Sequence, residues 1–429
     1  MSVSYKVKIC IGYVLAISLT WVIINFEYCG HLGNLKFIKW LGNLVGIIGY
    51  TFFSLSLLLS SRWRYLENWF GGLDQIYHLH RQIGLWGFYF ILAHPLILTY
   101  KKTTDQFIYY FLPFHNRTSI NLGVYAFWLM LILLGITLLK ILPYDRWKIS
   151  HKWMSLVFLL TSFHFLLSNR LIGSSSESKL LLSIPFGIGL LSILYKQLLF
   201  CFKTTYKYQV TKIKPANHNT IEIFLEPKGD QIPFISGQYA FFTFQGSHIS
   251  KESHPFTLCG KQDGSKNSIL VKKRGDFTNS LFDHIKLGDF AYIEGPHGRF
   301  DFRNQGNLQI WIAGGIGIVP FLCWSRMLEQ NQTNQRIDLF YCVHEKTDTI
   351  YFDEFTEISN KTKKFRFFPI FTAQEGHLNA RRVEKTVGSL KNHTILMCGP
   401  KKMTRELRDQ FLKIGIDDKH IIFEDFEFL

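Results

Sequence analysis

Four histidines lie inside apolar runs as two evenly matched pairs, and few folds accommodate that pattern. His80 and His94 stand 14 residues apart in the run Leu79–Leu98, and His151 and His164 stand 13 apart in the run His151–Leu167. At about 1.5 Å of helical rise per residue, each pair spans roughly 20 Å, about two-thirds of the hydrocarbon layer of a bilayer. Ionisable groups at that depth are expensive and usually functional. Two helices, each with one histidine toward either membrane face, can hold two stacked haems, each iron taking an axial imidazole from both helices. Such a stack is a wire across a bilayer.

The surrounding chain suits a membrane. Of its 429 residues 47% are hydrophobic, and they are unevenly spread. Six runs near or above spanning length precede residue 203, at 7–25, 37–60, 79–100, 120–142, 151–169 and 180–202. None follows, and Lys, Asp, Gly and Asn return. The reading is a six-helix transmembrane domain at 1–203 and a soluble half beyond it. The first run follows Lys6 and Lys8, as a secretory signal would, but no A-x-A-like site closes it, so it reads as an anchor.

Basic residues near the helix ends set the orientation. With the N-terminus inside, twelve face the cytoplasm (Lys6, Lys8, Arg62, Arg64, Arg81, Lys140, Arg146, Lys148, Lys152, Lys196, Lys203 and Lys207). Seven face outward: Lys36, Lys39, Lys101, Lys102, Arg117, Arg170 and Lys179. A multi-pass protein of the cell (inner) membrane is expected, with its N-terminus and soluble half in the cytoplasm. The net charge of +16 then answers the anionic lipid of the inner leaflet and needs no nucleic acid. The seven cysteines, at 10, 29, 201, 259, 323, 342 and 398, form no C-x-x-C and no metal spacing. They imply no disulfide framework, Cys29 alone being placed to meet an oxidising compartment. Gly173–Lys179 reads as a polar loop between the fifth and sixth helices.

Helical geometry selects among the histidines. A 14-residue step falls about 40° short of four turns, so His80 and His94 share a face, whereas His78 lies roughly 160° from His94. The 13-residue step from His151 to His164 falls about 140° short, and local tightening toward 3₁₀ or rotamer differences must close the gap. Helices three and five run the same way, so His80 should face His151 near the cytoplasm and His94 should face His164 near the outer surface. Pro95 weakens the hydrogen-bond ladder beside His94 and either aims the ring or only kinks the helix. His115 falls in the outer loop and reads as solvated.

The soluble half has two patterns. Short β runs at Tyr208–Ile213, Thr220–Leu225, Gln238–Phe244, Ser268–Lys272 and Phe290–Glu294, split by Gly, Pro and Asn, read as an antiparallel barrel over 204–305. From 306 to 429 strands alternate with helices: Leu308–Ala313, a helical run to Glu329, Ile337–Val343, Phe365–Thr372, Thr394–Cys398 and the helix Met403–Ile414. That is a doubly wound nucleotide-binding pattern. The glycines of Gly314-Gly315-Ile316-Gly317, between a strand and a helix, let the backbone approach a pyrophosphate or serve an ordinary tight turn.

The ordered set of motifs resembles a known module. His254-Pro255-Phe256-Thr257, Lys272 with Gly275-Asp276-Phe277-Thr278, Gly314–Gly317 and Cys398-Gly399-Pro400 are similar to the ferredoxin-reductase-like module. With four membrane histidines ahead of it, almost the whole chain resembles the NADPH oxidase and ferric reductase superfamily, in its compact prokaryotic type. The resemblance implies a six-helix haem-binding bundle, an antiparallel β-barrel for FAD and an α/β Rossmann-like domain for NADPH, with NADH possible. It implies metal ligation by His80, His94, His151 and His164 to two haem b groups. By motif position, His254, Pro255, Phe256 and Thr257 would line the flavin, Thr257 near its N5 and His254 at the ribityl or phosphate part. Lys272, Gly275, Asp276 and Thr278 would hold the FAD pyrophosphate, though Lys272–Arg274 also reads as a solvated basic edge. Glu294–Gly298 resembles the turn between the two domains. Gly314, Gly315, Gly317, Pro320, His344, Cys398, Gly399 and Pro400 would bind the dinucleotide, with Cys398 near the nicotinamide. Glu424-Asp425-Phe426 resembles a terminal acidic-x-aromatic element whose Phe426 stacks on the flavin, Phe428 competing for that place.

Two positions depart from better-known members. His344 stands where NADPH-selective oxidases have an arginine, and a neutral imidazole is a poorer partner for a 2′-phosphate than a guanidinium. Leu98 stands four residues beyond His94, where some oxidases carry another histidine near the outer haem. The function implied is transfer of electrons from cytoplasmic NAD(P)H through FAD and two b-type haems to an outer acceptor, dioxygen giving superoxide, with no obligatory protein partner. A ferric-chelate reductase with the same wire is the first alternative. The others are an electron-relay membrane subunit serving a periplasmic reductase and a membrane-anchored flavin reductase without haem.

Overall fold

The computed structural model describes residues 3–26, 34–168, 176–198, 205–260, 265–330 and 334–424. They divide into two compact units, Met1–Phe202 and Lys203–Leu429.

The first unit is helical. Its described helices are α1 (Val3–Ile24), α2 (Asn34–Ser60), α3 (Arg64–Phe70), α4 (Leu73–Leu98) and α5 (Thr104–Tyr110). There follow α6 (Thr118–Leu138), α7 (Tyr144–His151), α8 (Met154–Leu166) and α9 (Ser176–Leu198). Among the described residues four stretches combine the length and apolarity to cross a bilayer: Tyr5–Ile24, Lys36–Ser60, Thr118–Leu138 and Ser176–Leu198. The other two of the six expected spans differ for separate reasons. The 26 residues of α4 are long enough, but Gln75, His78, His80, Arg81 and Gln82 dilute its first turns. The fifth run is broken, α7 ending at His151 and α8 starting at Met154. Ser176–Lys179, expected in a polar loop, open α9 instead. Gly173–Ser175, Cys29, Arg170, Cys201 and Lys203 lie outside the described residues.

Small residues bring α2 and α4 together. Gly42, Gly46 and Gly49 recur at three and four residues and so share a face of α2. A Cβ at Gly49 would stand 2.9 Å from the backbone nitrogen of Ile91, and one at Gly87 would stand 3.2 Å from Phe52 Cβ. Close backbone approach of this kind, rather than water exclusion, holds helices together in lipid. Beside the glycine face of α2, Tyr50 stacks on the fully buried Phe158 of α8 at 5.3 Å, and its hydroxyl is 2.9 Å from Ser162 Oγ.

In the second unit, β1 (Thr205–Asn217), β2 (Thr220–Pro227), β3 (Tyr239–Gln245), β4 (Ser253–Thr257), β5 (Cys259–Gly260), β6 (Asn267–Lys272) and β7 (Phe290–His297) form an antiparallel sheet. Its order is β4-β3-β7-β1-β2-β6-β5. The two edges, β4 and β5, are separated in sequence by Leu258 alone, so the sheet must curl until its edges adjoin. That closes the barrel around Tyr208, Val210, Ile223, Phe242, Phe244, Ile269 and Ile293. Strand β4 is additional to the strands expected from the pattern, and β7 runs through His297, across the segment read as a turn. Helix α10 (Asp276–His284) follows β6.

The parallel sheet has five strands in the order β10-β9-β8-β11-β12, formed by β8 (Leu308–Gly314), β9 (Arg336–Val343), β10 (Phe365–Phe371), β11 (Thr394–Cys398) and β12 (Ile421–Glu424). Between them lie α11 (Val319–Gln330), α12 (Phe352–Lys361), the single turn α13 (Thr372–Glu375), α14 (Ala380–Val387) and α15 (Lys401–Lys413). Near-continuous burial along β8, β9 and β11 is what a sheet covered on both faces requires.

Barrel and sheet share one seam on α11. Trp324, fully buried, packs on Phe300, Phe302 and Trp311 and donates its Nε1–H to the Ser236 carbonyl at 2.8 Å. Arg326 binds Glu222 of β2 at 2.8 Å and Glu354 of α12 at 2.6 Å. Cys323 is disulfide-bonded to Cys259 of β5, which corrects the expectation of no disulfide. Burial alone would raise the Glu222 carboxyl, but the hydrogen bonds and charge of Arg326, with Ser268 and Tyr351, outweigh it and hold the group below the ordinary carboxylate value. A depressed carboxyl stabilises the fold above its unfolded value, and that contribution is lost as pH falls through the folded value. The apparent Tm of the full chain should therefore drop as pH falls below about 4.5, and Glu222→Gln should flatten that dependence. Identical acid profiles by scanning fluorimetry would refute it.

Candidate functional site

The membrane unit brings the four apolar-run histidines together in two pairs. The rings of His80 and His151 face each other at 6.3 Å between centroids, and those of His94 and His164 at 6.5 Å. Both pairs join α4 to the α7–α8 segment, so these run in the same direction. Between α7 and α8 the chain tightens: Lys152, Trp153, Ser155 and Leu156 donate to carbonyls three residues back, at 2.9–3.2 Å. Each 3₁₀-type residue adds about 20° over an α-helical one, so four supply roughly 80° of the missing 140°.

Each imidazole has a committed Nδ1. That of His94 is 2.7 Å from the Gly42 carbonyl, that of His164 is 2.6 Å from the Ser119 carbonyl, and that of His80 is 2.8 Å from the Ser56 carbonyl. A carbonyl only accepts, so these three nitrogens carry the proton. His151 Nδ1 lies 3.4 Å from Thr137 Oγ1, whose own hydrogen goes to the Leu133 carbonyl while Trp147 donates to the same oxygen; His151 must donate as well. All four Nε2 atoms are therefore left as lone-pair donors, the tautomer a metal requires. An iron between two imidazoles sits about 2 Å from each nitrogen, which puts ring centroids roughly 6 Å apart. The observed separations fit. Among the described residues no group of three His, Cys, Asp or Glu side chains forms a metal cage.

Glycines make room for the pair His94 and His164. A Cβ at Gly46 or at Gly123 would stand 2.7 Å from Nδ1 of His94 or His164 respectively. Each glycine lies four residues beyond the carbonyl that its histidine uses, at Gly42 and Ser119. His78 is on the same helix but in neither pair, and His115 packs on Tyr109 and Tyr110 at 4.7 and 6.1 Å. Leu98 packs on Gly42.

In the second unit, strand register assembles a row at the mouth of the barrel. Thr257 pairs with Tyr239, which pairs with His297 on β7. A Cβ at Gly298 would stand 2.9 Å from Glu424 Oε1 and 3.1 Å from the Tyr239 ring, so the Glu424 carboxyl is packed on this row. Across the parallel sheet, Glu424 is in register with Cys398, and Cys398 with Ala313. Thr257, Glu424, Cys398 and Gly314 thus converge where barrel meets the carboxyl edge of the sheet, the position at which open α/β sheets bind ligands. Tyr239 was missed in the sequence, because a buried aromatic in a strand signals only core. Phe426 and Phe428 lie outside the described residues.

Other sequence-derived residues take simpler places. His254 stacks on Phe277 at 3.7 Å and bonds Glu252 at 2.9 Å, with Pro255 and Phe256 partly buried beside it. Lys272 ends β6. Thr278 Oγ1 accepts the backbone N–H groups of Arg274 and Gly275, which shapes the turn at Gly275 and Asp276 into α10. Gly315 takes φ +54° and Pro320 sits in the first turn of α11. Gly317 lies against the Cys398 carbonyl and Gly314 against Pro400 and Gly399, contacts that leave no space for a Cβ. His344 is exposed at the end of β9. A guanidinium that the sequence reading overlooked, Arg382, pairs with Glu375 near that edge and lowers the neighbouring Cys342 thiol, which burial nevertheless pushes up to about 12.

Known proteins match each part. Residues 45–162 match a ferric reductase like transmembrane component, 205–299 an FAD-binding domain and 311–409 an oxidoreductase NAD-binding domain. The reductase component of propane 2-monooxygenase from Mycolicibacterium smegmatis is 26% identical over 51% of this chain and 66% of its own length. Flavohemoprotein B of Dictyostelium discoideum is 20% identical over 53% of this chain and 55% of its own. The chain spans less than two thirds of the length of these relatives. The flavohemoglobin of Malassezia yamatoensis, 16% identical over 91% of this chain and 96% of its own, has a TM-score of 0.51, a likeness of fold alone.

The glycine packing is testable without reference to chemistry. Gly46→Ala and Gly123→Ala should each cost about 1–3 kcal/mol, as overpacking does, and lower the apparent Tm. Gly135→Ala, whose Cβ meets nothing within 4 Å, is the control; equal Tm in all three variants would refute the packing.

Proposed function

The chain has the domain architecture of the NADPH oxidase and ferric reductase superfamily, a membrane oxidoreductase with FAD and NAD domains, and we propose that it moves electrons from cytoplasmic NAD(P)H across the membrane to dioxygen, giving superoxide. The observation that carries this reading is the two facing histidine pairs, each with its Nδ1 protons occupied and its Nε2 atoms left as lone-pair donors. His80 with His151 would hold one b-type haem, and His94 with His164 the other. When bound, flavin and haems supply the conversion of a hydride into single electrons and their route through the lipid. The side chains hold and orient. Ser56, Gly42, Ser119 and Thr137 fix the imidazole planes; the Gly314–Gly317 and Cys398–Pro400 backbones pack on each other and would cradle a dinucleotide at Gly315, whose Cβ position is open; the Thr257–Glu424 row would face the flavin edge. No protein nucleophile or general base is required.

A ferric-chelate reductase using the same wire is the second reading. It is favoured by Leu98, an apolar side chain packed on Gly42, where some oxidases place another histidine. A relay subunit dependent on a periplasmic enzyme is disfavoured by the flavin and nucleotide domains that this chain carries itself.

His94→Leu and His151→Leu should each lose one haem of two by pyridine haemochrome assay, the first from the outer site and the second from the inner. Retention of both haems in either variant, or a purified protein colourless in the Soret region after cofactor supplementation, would overturn the wire. Acceptor reduction driven by NADPH in detergent should vanish on adding superoxide dismutase. Persistence with a ferric chelate present would move the assignment to ferric reductase.

A further inference from the structure

The seam on α11 contains two links of different chemistry side by side. Cys259 of β5 and Cys323 of α11 are bonded, with Cα atoms 5.2 Å apart and 64 residues between them in sequence. One helical turn further on, Arg326 spans Glu222 of the barrel and Glu354 of α12, and its Nη1 lies 3.9 Å from Cys259 Sγ. Tyr351 donates its hydroxyl hydrogen to Glu222 and lies under the guanidinium, 5.0 Å from Cζ to the ring centroid. The sulfur pair and the ion cluster therefore form one clasp between barrel and nucleotide sheet, and neither takes part in the chemistry assigned above.

We propose that Cys259 and Cys323 are a reversible thiol–disulfide latch which, together with Arg326, sets how the nucleotide sheet is held against the barrel and so controls hydride delivery. This rests on the reading of the soluble half as a cytoplasmic NAD(P)H module. In a compartment that keeps thiols reduced, disulfides are as a rule transient, catalytic or redox-sensing rather than structural. The oxidant is a low-molecular-weight disulfide such as oxidised glutathione. One cysteine thiolate attacks it and expels a first glutathione thiol; the second cysteine then attacks the mixed disulfide and expels another. Two thiols lose two electrons and two protons, and one glutathione disulfide becomes two thiols. Both cysteines are almost wholly buried, at 1% and 2% exposure. Attack from outside thus requires the seam to part, which couples exchange to opening of the clasp.

The test uses full-length protein in detergent, loaded with FAD and haem and equilibrated in reduced and oxidised glutathione mixtures. Maleimide mass tagging should show a disulfide between residues 259 and 323 that titrates with the glutathione ratio. Anaerobic stopped-flow flavin bleaching at saturating NADPH should be at least three-fold faster in the disulfide form, with KM for NADPH unchanged. Cys259→Ser and Cys323→Ser should show the slower rate in every buffer. Arg326→Gln should lower the rate further, and Arg326→Lys should restore part of it. Tags that never change across the buffers, or equal bleaching rates in both forms, overturn the latch. Should NADPH fail to bleach the flavin in any form, the functional reading falls, and deuterium exchange of β5 and α11 amides then decides the latch: slower exchange in the disulfide form upholds it, and equal exchange overturns it.

Discussion

An imidazole N–H left unsatisfied in hydrocarbon costs several kcal/mol, and the membrane unit is arranged around avoiding that four times. The solution is the same at three of the four positions: a helix carbonyl, already bonded within its own ladder, lends its second lone pair to the Nδ1–H. Reaching such a carbonyl requires the ring to lie almost on the neighbouring backbone. The residue one turn further along the accepting helix is then in the way unless it lacks a Cβ. At Gly42 and Ser119 that next residue is Gly46 and Gly123, and the Nδ1 bonds are the short ones, 2.7 and 2.6 Å. At the His94 and His164 level glycine thus accompanies histidine placement, whereas His80 reaches the Ser56 carbonyl with Ser60 one turn further on and His151 bonds a threonine hydroxyl.

In the soluble unit the corresponding constraint is topological. A barrel whose edges are joined through the single residue Leu258 and a parallel sheet ending at Cys398 and Glu424 meet along one seam. Register then does the positioning. Thr257, Tyr239 and His297 line up because β4, β3 and β7 are neighbours, and Cys398 and Glu424 because β11 and β12 are. No long side chain is needed to bridge the gap. Gly298, with φ +90°, lets the Glu424 carboxyl lie against the row.

Much of this was legible in residue order, for identifiable reasons. Histidines at a 14-residue step in an apolar run point to one helix face whatever surrounds them, and β8, β9 and β11 announce themselves as unbroken apolar strands. Local pattern fails where the cause is distant. Strand β4 is too polar to read as a strand, since it owes its existence to pairing with β3. Helices α12 and α14 are short, at 10 and 8 residues, and each buries only two side chains, too few for a helical period to stand out. Cys259 and Cys323 are 64 residues apart, with no spacing rule to connect them. Tyr239 becomes informative only once β7 and β12 are placed beside it.

The break between α7 and α8 shows how one residue of spacing propagates. Had the second pair been separated by 14 residues like the first, a continuous helix would have presented both rings to α4. With 13, the chain must overwind, and it does so immediately after His151, where Lys152 and Trp153 leave the α-helical ladder. That shortens α7 to eight residues and carries His151 away from any carbonyl of α6. Its Nδ1 turns instead to a threonine hydroxyl at 3.4 Å, with Trp147 stacked on the ring at 5.3 Å to steady it. The level at His80 and His151 is therefore held by packing on one side and by a strong hydrogen bond on the other, whereas the level at His94 and His164 is held by short carbonyl bonds on both. An asymmetry between the two levels is thus a consequence of helical phase, before any difference in cofactor or solvent is considered.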